Sequence, residues 1–148
     1  MRNLLHKNII KFEDNIDFNF VINLLNNHDV NTDITSNYNK DHVFNSCFRV
    51  HDVHIDPYFK GLFDFLEQNY NPEKIKKTLM FFLSFTVGCK STIHKDPLDV
   101  YIIGAHGITV YICDGVEYRV EPGDMLYIPK NMTHTAVSLS PRIILSYG

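Results

Sequence analysis

Apolar positions in the first half of the chain follow helical spacing. Phe18, Val21, Ile22 and Leu25 fall on one face of a helix, with Asp14, Asn15 or Asp17 available to cap its free amides and Asn27-His28-Asp29 to end it. A second helix starts after Asp56, whose carboxylate suits the N-cap, with Pro57 at the first helical position. Its predicted buried stripe is Phe59, Leu62, Phe63 and Leu66, and Asn71-Pro72 stops it. Between the helices, Val43 to Val50 has the β-branched and aromatic content of a strand. The loop before it, rich in Asn, Asp and Thr, reads as mobile.

From Thr78 onward the period shortens to two, with turn residues every several positions, which is the pattern of an antiparallel sandwich or barrel. The predicted strands are 79–87, 91–95, 98–104, 107–113, 116–121, 124–129, 134–139 and 142–147. Asp114-Gly115 marks a tight hairpin, and Glu121-Pro122-Gly123-Asp124 and Ser140-Pro141 mark further turns. Eight such strands form a jelly roll. The expected organisation is therefore mainly β and a single domain over 1–148, with a helical and irregular part over 1–77 packed on the outside of a jelly-roll core over 78–148. The chain shows no internal repeat or low-complexity tract.

Composition narrows the function classes. At 148 residues, 45% apolar and 13% aromatic, the chain can bury one substantial core. A formal charge of −3 gives no polycationic footprint, and Lys74, Lys76 and Lys77 read as a solvated turn, so nucleic acid is not an expected partner. Cys47, Cys89 and Cys113 are odd in number and lack metal-type spacing, which predicts buried free thiols and a reducing, cytoplasmic location. Met1 to Lys7 lacks a secretory h-region, and the longest apolar run, from Leu79 to Val87, is half a membrane span and is broken by Ser84 and Thr86. His51, His54 and His106 read as surface histidines.

The candidate chemistry lies in His94-Lys95-Asp96. On an extended segment, positions 94 and 96 point to the same side, so both can reach one metal ion. His134, after a Pro-containing turn, supplies a third ligand. Two imidazoles and one carboxylate on one face of an octahedral ion are the facial triad of non-haem Fe(II) oxygenases, with adjacent positions left open. The segments Gly88-x5-His94-x-Asp96 and Gly123-Asp124-Met125-Leu126-Tyr127-Ile128-Pro129-x4-His134 resemble the two cupin motifs in order and spacing. With Asp as the second ligand, the pattern is similar to that of Jumonji-C-type hydroxylases over roughly residues 78–148.

That resemblance implies a cupin jelly roll (double-stranded β-helix) and an Fe(II)- and 2-oxoglutarate-dependent dioxygenase that hydroxylates a small molecule or peptide. It also implies His94, Asp96 and His134 as metal ligands and catalytic residues. Two departures matter. Val100 stands where four-ligand cupins have Glu, and Thr109 stands where the resembled hydroxylases keep the Lys that pairs with the distal carboxylate of 2-oxoglutarate. A buried carboxylate needs a cation or several hydrogen bonds. Arg142, opening the last strand, ranks first as replacement, although after Pro141 it also reads as a solvent-facing turn residue. Thr109 and Tyr111 share strand parity and offer hydroxyls, and Lys90, sharing parity with His94, ranks second as the cation. Two other readings compete: a metal-dependent cupin dioxygenase, lyase or isomerase without 2-oxoglutarate, and a non-enzymatic ligand-binding cupin. Strand edges or the N-terminal helices leave room for a homodimer.

Overall fold

A computed structural model describes residues 3–34 and 47–148. Its strands are β1 (Leu5–His6), β2 (Thr32–Ile34), β3 (Cys47–Val50), β4 (Leu79–Ser84), β5 (Val100–His106), β6 (Thr109–Cys113), β7 (Val116–Val120), β8 (Met125–Ile128), β9 (His134–Ser138) and β10 (Arg142–Tyr147). Helices α1 (Phe18–Asn27) and α2 (Pro57–Tyr70) and a 3-10 turn (Val53–Ile55) complete the elements. A seven-stranded sheet in the order β1-β8-β5-β10-β4-β3-β2 faces a three-stranded sheet in the order β7-β6-β9. All named strand pairs are antiparallel. This is the expected jelly roll, with helices against its outer face.

The larger sheet is covered on both sides. Leu79, Phe81, Leu83, Ile143, Leu145 and Tyr147 face the helices and pack with Val21, Leu24, Phe59 and Leu66. The alternate residues Val100, Ile102, Leu126, Ile128 and Ile144 face the smaller sheet and meet Tyr111, Cys113, Val120 and Ala136. All six residues of β10 are buried for this reason, so its sequence reads as an apolar run interrupted by polar residues that must find partners inside. The hairpin between β6 and β7 turns on Asp114 (φ 46°) and Gly115 (φ 83°), both left-handed, as a two-residue type I′ connection requires.

Several expectations are corrected. The N-terminal part is less helical than its pattern suggested: the unexpected strands β1 and β2 join the larger sheet, alongside β3, which ends the strand expected over Val43 to Val50. Residues 35–46, which hold most of the polar loop and the start of the strand expected from Val43, lie outside the described residues. Asp17 caps α1, accepting from the Phe20 amide at 2.9 Å. However, the helix buries Val21 and Leu24 and leaves Ile22 and Leu25 exposed, so the expected stripe is rotated. Asp56 caps α2 with Pro57 at its start as expected, but only Phe59 and Leu66 of its stripe are fully buried.

The strand expected at 79–87 ends at Ser84. The one expected at 91–95 is reduced to two isolated bridges, Lys90 to Val137 and His94 to His134. Lys77 is not solvated: it is buried, donates to the Asp99 carbonyl at 2.9 Å, and lies over the rings of Tyr101 and Tyr147. His51, His54 and His106 are half-buried rather than exposed, His54 stacking on Phe63 at 4.2 Å between ring centroids. The three cysteines are buried, as expected. Among the described residues no helix is long and apolar enough to cross a membrane.

Candidate metal centre

His94 reaches the site through an irregular edge of the smaller sheet. Between the bridges at Lys90 and His94, residues 91–93 lie opposite only Thr135 and Ala136, so this segment carries one extra residue. Ser91 holds the bulge. Its hydroxyl takes the Ala136 amide at 2.9 Å, and its carbonyl accepts from the Thr135 hydroxyl at 2.7 Å. Beyond the bulge, His94 and His134 exchange both backbone hydrogen bonds, at 3.0 and 2.9 Å. The two ligand-bearing backbones are thereby fixed against each other.

The bulge also shifts side-chain direction by one residue. His134 and Ala136 lie on the inner face, opposite Cys113 and Tyr111. Lys90 instead pairs with Val137, whose neighbours on either side are the inward residues, and its side chain is exposed. The parity argument that linked Lys90 to His94 therefore fails.

His94, Asp96 and His134 bring one donor atom each within 4.8 Å of one another. The Asp96 carboxylate lies 3.9 Å from His94 Nε2 and 3.4 Å from His134 Nε2. Each imidazole directs Nδ1 at a backbone carbonyl two residues earlier, His94 to Thr92 at 2.7 Å and His134 to Met132 at 3.0 Å. A carbonyl only accepts, so Nδ1 carries a proton in each ring, which leaves Nε2 as the atom that can offer a lone pair to a cation at the centre. Two Nε2 atoms and a carboxylate then converge as a ligand set that one divalent cation can satisfy at once. The residues fit a metal, with the outer hydrogen bonds that orient histidine ligands already in place. His134 is buried, while His94 is 42% and Asp96 33% exposed, so one side of the centre opens to solvent.

Behind the triad, three inward residues of β6 step along β9: Cys113 opposite His134, Tyr111 opposite Ala136, and Thr109 opposite Ser138. Burial pushes the Cys113 thiol up to about 11, so it stays protonated at neutral pH. At the far end of this row Arg142 reaches in from β10. It is 2% exposed, which removes the solvent-facing reading of that residue. Its Nε donates to Ser84 Oγ at 3.1 Å and an Nη1 hydrogen to Thr109 Oγ1 at 3.2 Å. Burial raises the pKa of the Tyr111 phenol, and the positive charge of the Arg142 guanidinium works against that rise. Among the described residues no carboxylate pairs with it. Arg142, Thr109 and Tyr111 are thus brought together, whereas Lys90 is not. Ser84 was missed, although its place at the inward parity of β4 was visible in the sequence.

A family model of the JmjC domain matches residues 112–148, the stretch that holds His134 and Arg142. The ribosomal oxygenase YcfD from Escherichia coli, solved with cobalt and succinic acid, superposes with a TM-score of 0.75 at 21% identity over 96% of this chain and 46% of that one. The same protein solved with cobalt and 2-oxoglutarate gives 0.72 at 22% identity, over 91% of this chain and 44% of that one. The fold is the double-stranded β-helix that these structures share. No curated protein sequence matches the chain. The chain spans less than half the length of the YcfD structures. Within this fold the triad stands at one end of the barrel interior and the buried guanidinium further in.

Proposed function

We propose that the chain is an Fe(II)- and 2-oxoglutarate-dependent oxygenase that hydroxylates a peptide or a small molecule. The observation that carries this reading is Arg142, a buried cation without a carboxylate partner among the described residues, on the same interior as a three-ligand metal centre. Burying a guanidinium without an anion is costly, and the site is completed when a ligand brings a carboxylate to it. His94, Asp96 and His134 would hold the iron, a donor set that matches non-haem Fe(II). Arg142 would bind the distal carboxylate of 2-oxoglutarate, with the Thr109 and Tyr111 hydroxyls beside it. When bound, the metal and co-substrate together supply oxygen activation coupled to decarboxylation.

The chain's own part is positional. The Nδ1 contacts to Thr92 and Met132 hold both imidazoles in the ligating tautomer. Ile102, Leu126, Ile128 and Ile144 keep the interior dry, which strengthens the pairing of Arg142 with a carboxylate. The open side at His94 and Asp96 admits a side chain presented on a peptide, and the resemblance to a ribosomal oxygenase supports a protein substrate. Residues of both halves share one core, which supports a single domain, and three buried thiols support a cytoplasmic location.

The test is anaerobic addition of 2-oxoglutarate to the Fe(II) protein, followed by succinate release on admitting oxygen. A visible charge-transfer band and succinate formed in step with oxygen use are expected. Absence of the band removes the co-substrate from the reading. Thr109, in the place of the Lys that the resembled hydroxylases keep, favours a second reading, a metal cupin whose substrate chelates the ion directly. Arg142→Ala separates the two, because it abolishes 2-oxoglutarate binding with the metal retained only in the first. An Asp96→Ala protein that purifies with as much metal as the parent would leave a non-enzymatic cupin.

A further inference from the structure

We infer that Ser84 is a positioning residue for the anion anchor, fixing the guanidinium of Arg142 so that its Nη groups face the incoming carboxylate. This rests on the reading of Arg142 as the 2-oxoglutarate anchor. Ser84 closes β4, directly opposite Arg142 in β10, with Cys47 of β3 next in the same row. It is fully buried, at 0% exposure, so its hydroxyl is not there for solubility. Five N–H bonds line a guanidinium, and a carboxylate can engage it in two-point fashion on either of two edges, Nε with Nη2 or Nη1 with Nη2. Ser84 Oγ occupies the Nε edge at 3.1 Å, and Thr109 takes one Nη1 hydrogen at 3.2 Å from the opposite sheet. The two hydroxyls bracket the group from both walls of the barrel and leave Nη hydrogens for the ligand.

A bracketed arginine has already lost its side-chain freedom on folding and loses little more on binding. Without Ser84 the Nε–H has no acceptor, and the group turns towards whatever oxygen is nearest. Part of its alignment must then be supplied at the moment the ligand binds. The consequence is specific to the co-substrate: the metal ligands lie on other segments and do not touch Ser84.

The experiment is an anaerobic titration of Fe(II)-loaded protein with 2-oxoglutarate, read by the charge-transfer absorption, with Fe(II) affinity measured separately. Ser84→Ala removes one oxygen from a buried strand and should raise the 2-oxoglutarate Kd about tenfold, with Fe(II) affinity unchanged. Ser84→Thr keeps the oxygen and should return the Kd to within about twofold of the parent. Thr109→Val, which removes the other half of the bracket, should weaken binding in the same way. If Ser84→Ala binds 2-oxoglutarate as the parent does while Arg142→Ala does not bind it, the positioning role is wrong and the anchor stands. A parent protein that gives no 2-oxoglutarate-dependent absorption overturns the anchor itself.

Discussion

Gly107 connects the barrel's stability to the placement of its cation. It lies at φ +67°, and a Cβ built there would fall on the carbonyl oxygen of Pro141 and the hydroxyl of Ser140, the turn that delivers Arg142. Gly107→Ala therefore carries two costs. The left-handed backbone conformation costs an L-residue about 1–2 kcal/mol. Forcing a methyl into packed backbone costs about 1–3 kcal/mol more. The sum is roughly 2–5 kcal/mol. Gly115→Ala is the natural control, since Gly115 sits at φ +83° with nothing within 4 Å, and it should lose only the first amount. Urea denaturation of both variants by linear extrapolation reads the difference. Because the clash displaces Pro141, Gly107→Ala should also weaken 2-oxoglutarate binding while Gly115→Ala does not. If the two variants lose equal stability, the close approach of residue 107 to the turn has no energetic weight and this reasoning fails.

Asp124, at 2% exposure, accepts from Lys7 Nζ at 2.6 Å and from the amides of Asn8 and Glu121 at 3.1 and 2.9 Å, tying β1 to the start of β8. Asp124→Ala strands two amides and should cost about 3 kcal/mol, a melting temperature lower by roughly 9 °C, with metal content unchanged; a loss below about 1 kcal/mol would show that water replaces it freely. Stability should also fall in alkali. Burial holds Tyr101 up to about 12 and Tyr111 and Tyr147 higher still, so the unfolded chain releases those protons first. Their contribution is complete below the unfolded tyrosine value of about 10 and is lost as pH rises beyond it. Lys77, lowered by burial, acts in the opposite sense below its unfolded value, but one lysine opposes three tyrosines. A urea midpoint that does not fall from pH 9 to 11 would contradict this.

What was legible in the sequence had a local cause. The hairpin at Asp114-Gly115 announces itself because a two-residue turn needs left-handed residues, and the period-two runs around it have one wet and one dry face. The triad was legible because its residue types have few other reasons to recur at that spacing. The errors have non-local causes. β1 and β2 span 2 and 3 residues, too short to show a period, and exist because the larger sheet offers an edge. The face of α1 was misjudged because apolar residues cover more of its circumference than the sheet can bury. Lys77 is buried by Tyr101 and Tyr147, which its neighbours in the chain do not foretell. Lys90 lost its parity to a bulge held by Ser91 and Thr135, whose hydroxyls take over bonds that a regular ladder gives to backbone.

If Arg142 anchors 2-oxoglutarate as proposed, its contact with Thr109 predicts that a cation supplied from position 109 of the opposite sheet can take its place. Thr109 Oγ1 lies 3.2 Å from the guanidinium, so an ammonium carried at position 109 would meet the same space from the other wall. Thr109→Lys alone should then set two cations about 4 Å apart in the interior, a repulsion of about 4 kcal/mol at an effective dielectric of about 20. Combined with Arg142→Met the repulsion disappears and one cation remains, so the double variant should be more stable than Thr109→Lys by about that amount. It should also regain the 2-oxoglutarate binding that Arg142→Met alone abolishes. The measurement is a double-mutant cycle in urea, with the anaerobic absorption titration run on each of the four proteins. Additive stabilities, or a double variant that still fails to bind, would mean that a lysine at position 109 does not bring its ammonium to the guanidinium's place and that the cation cannot be moved between walls.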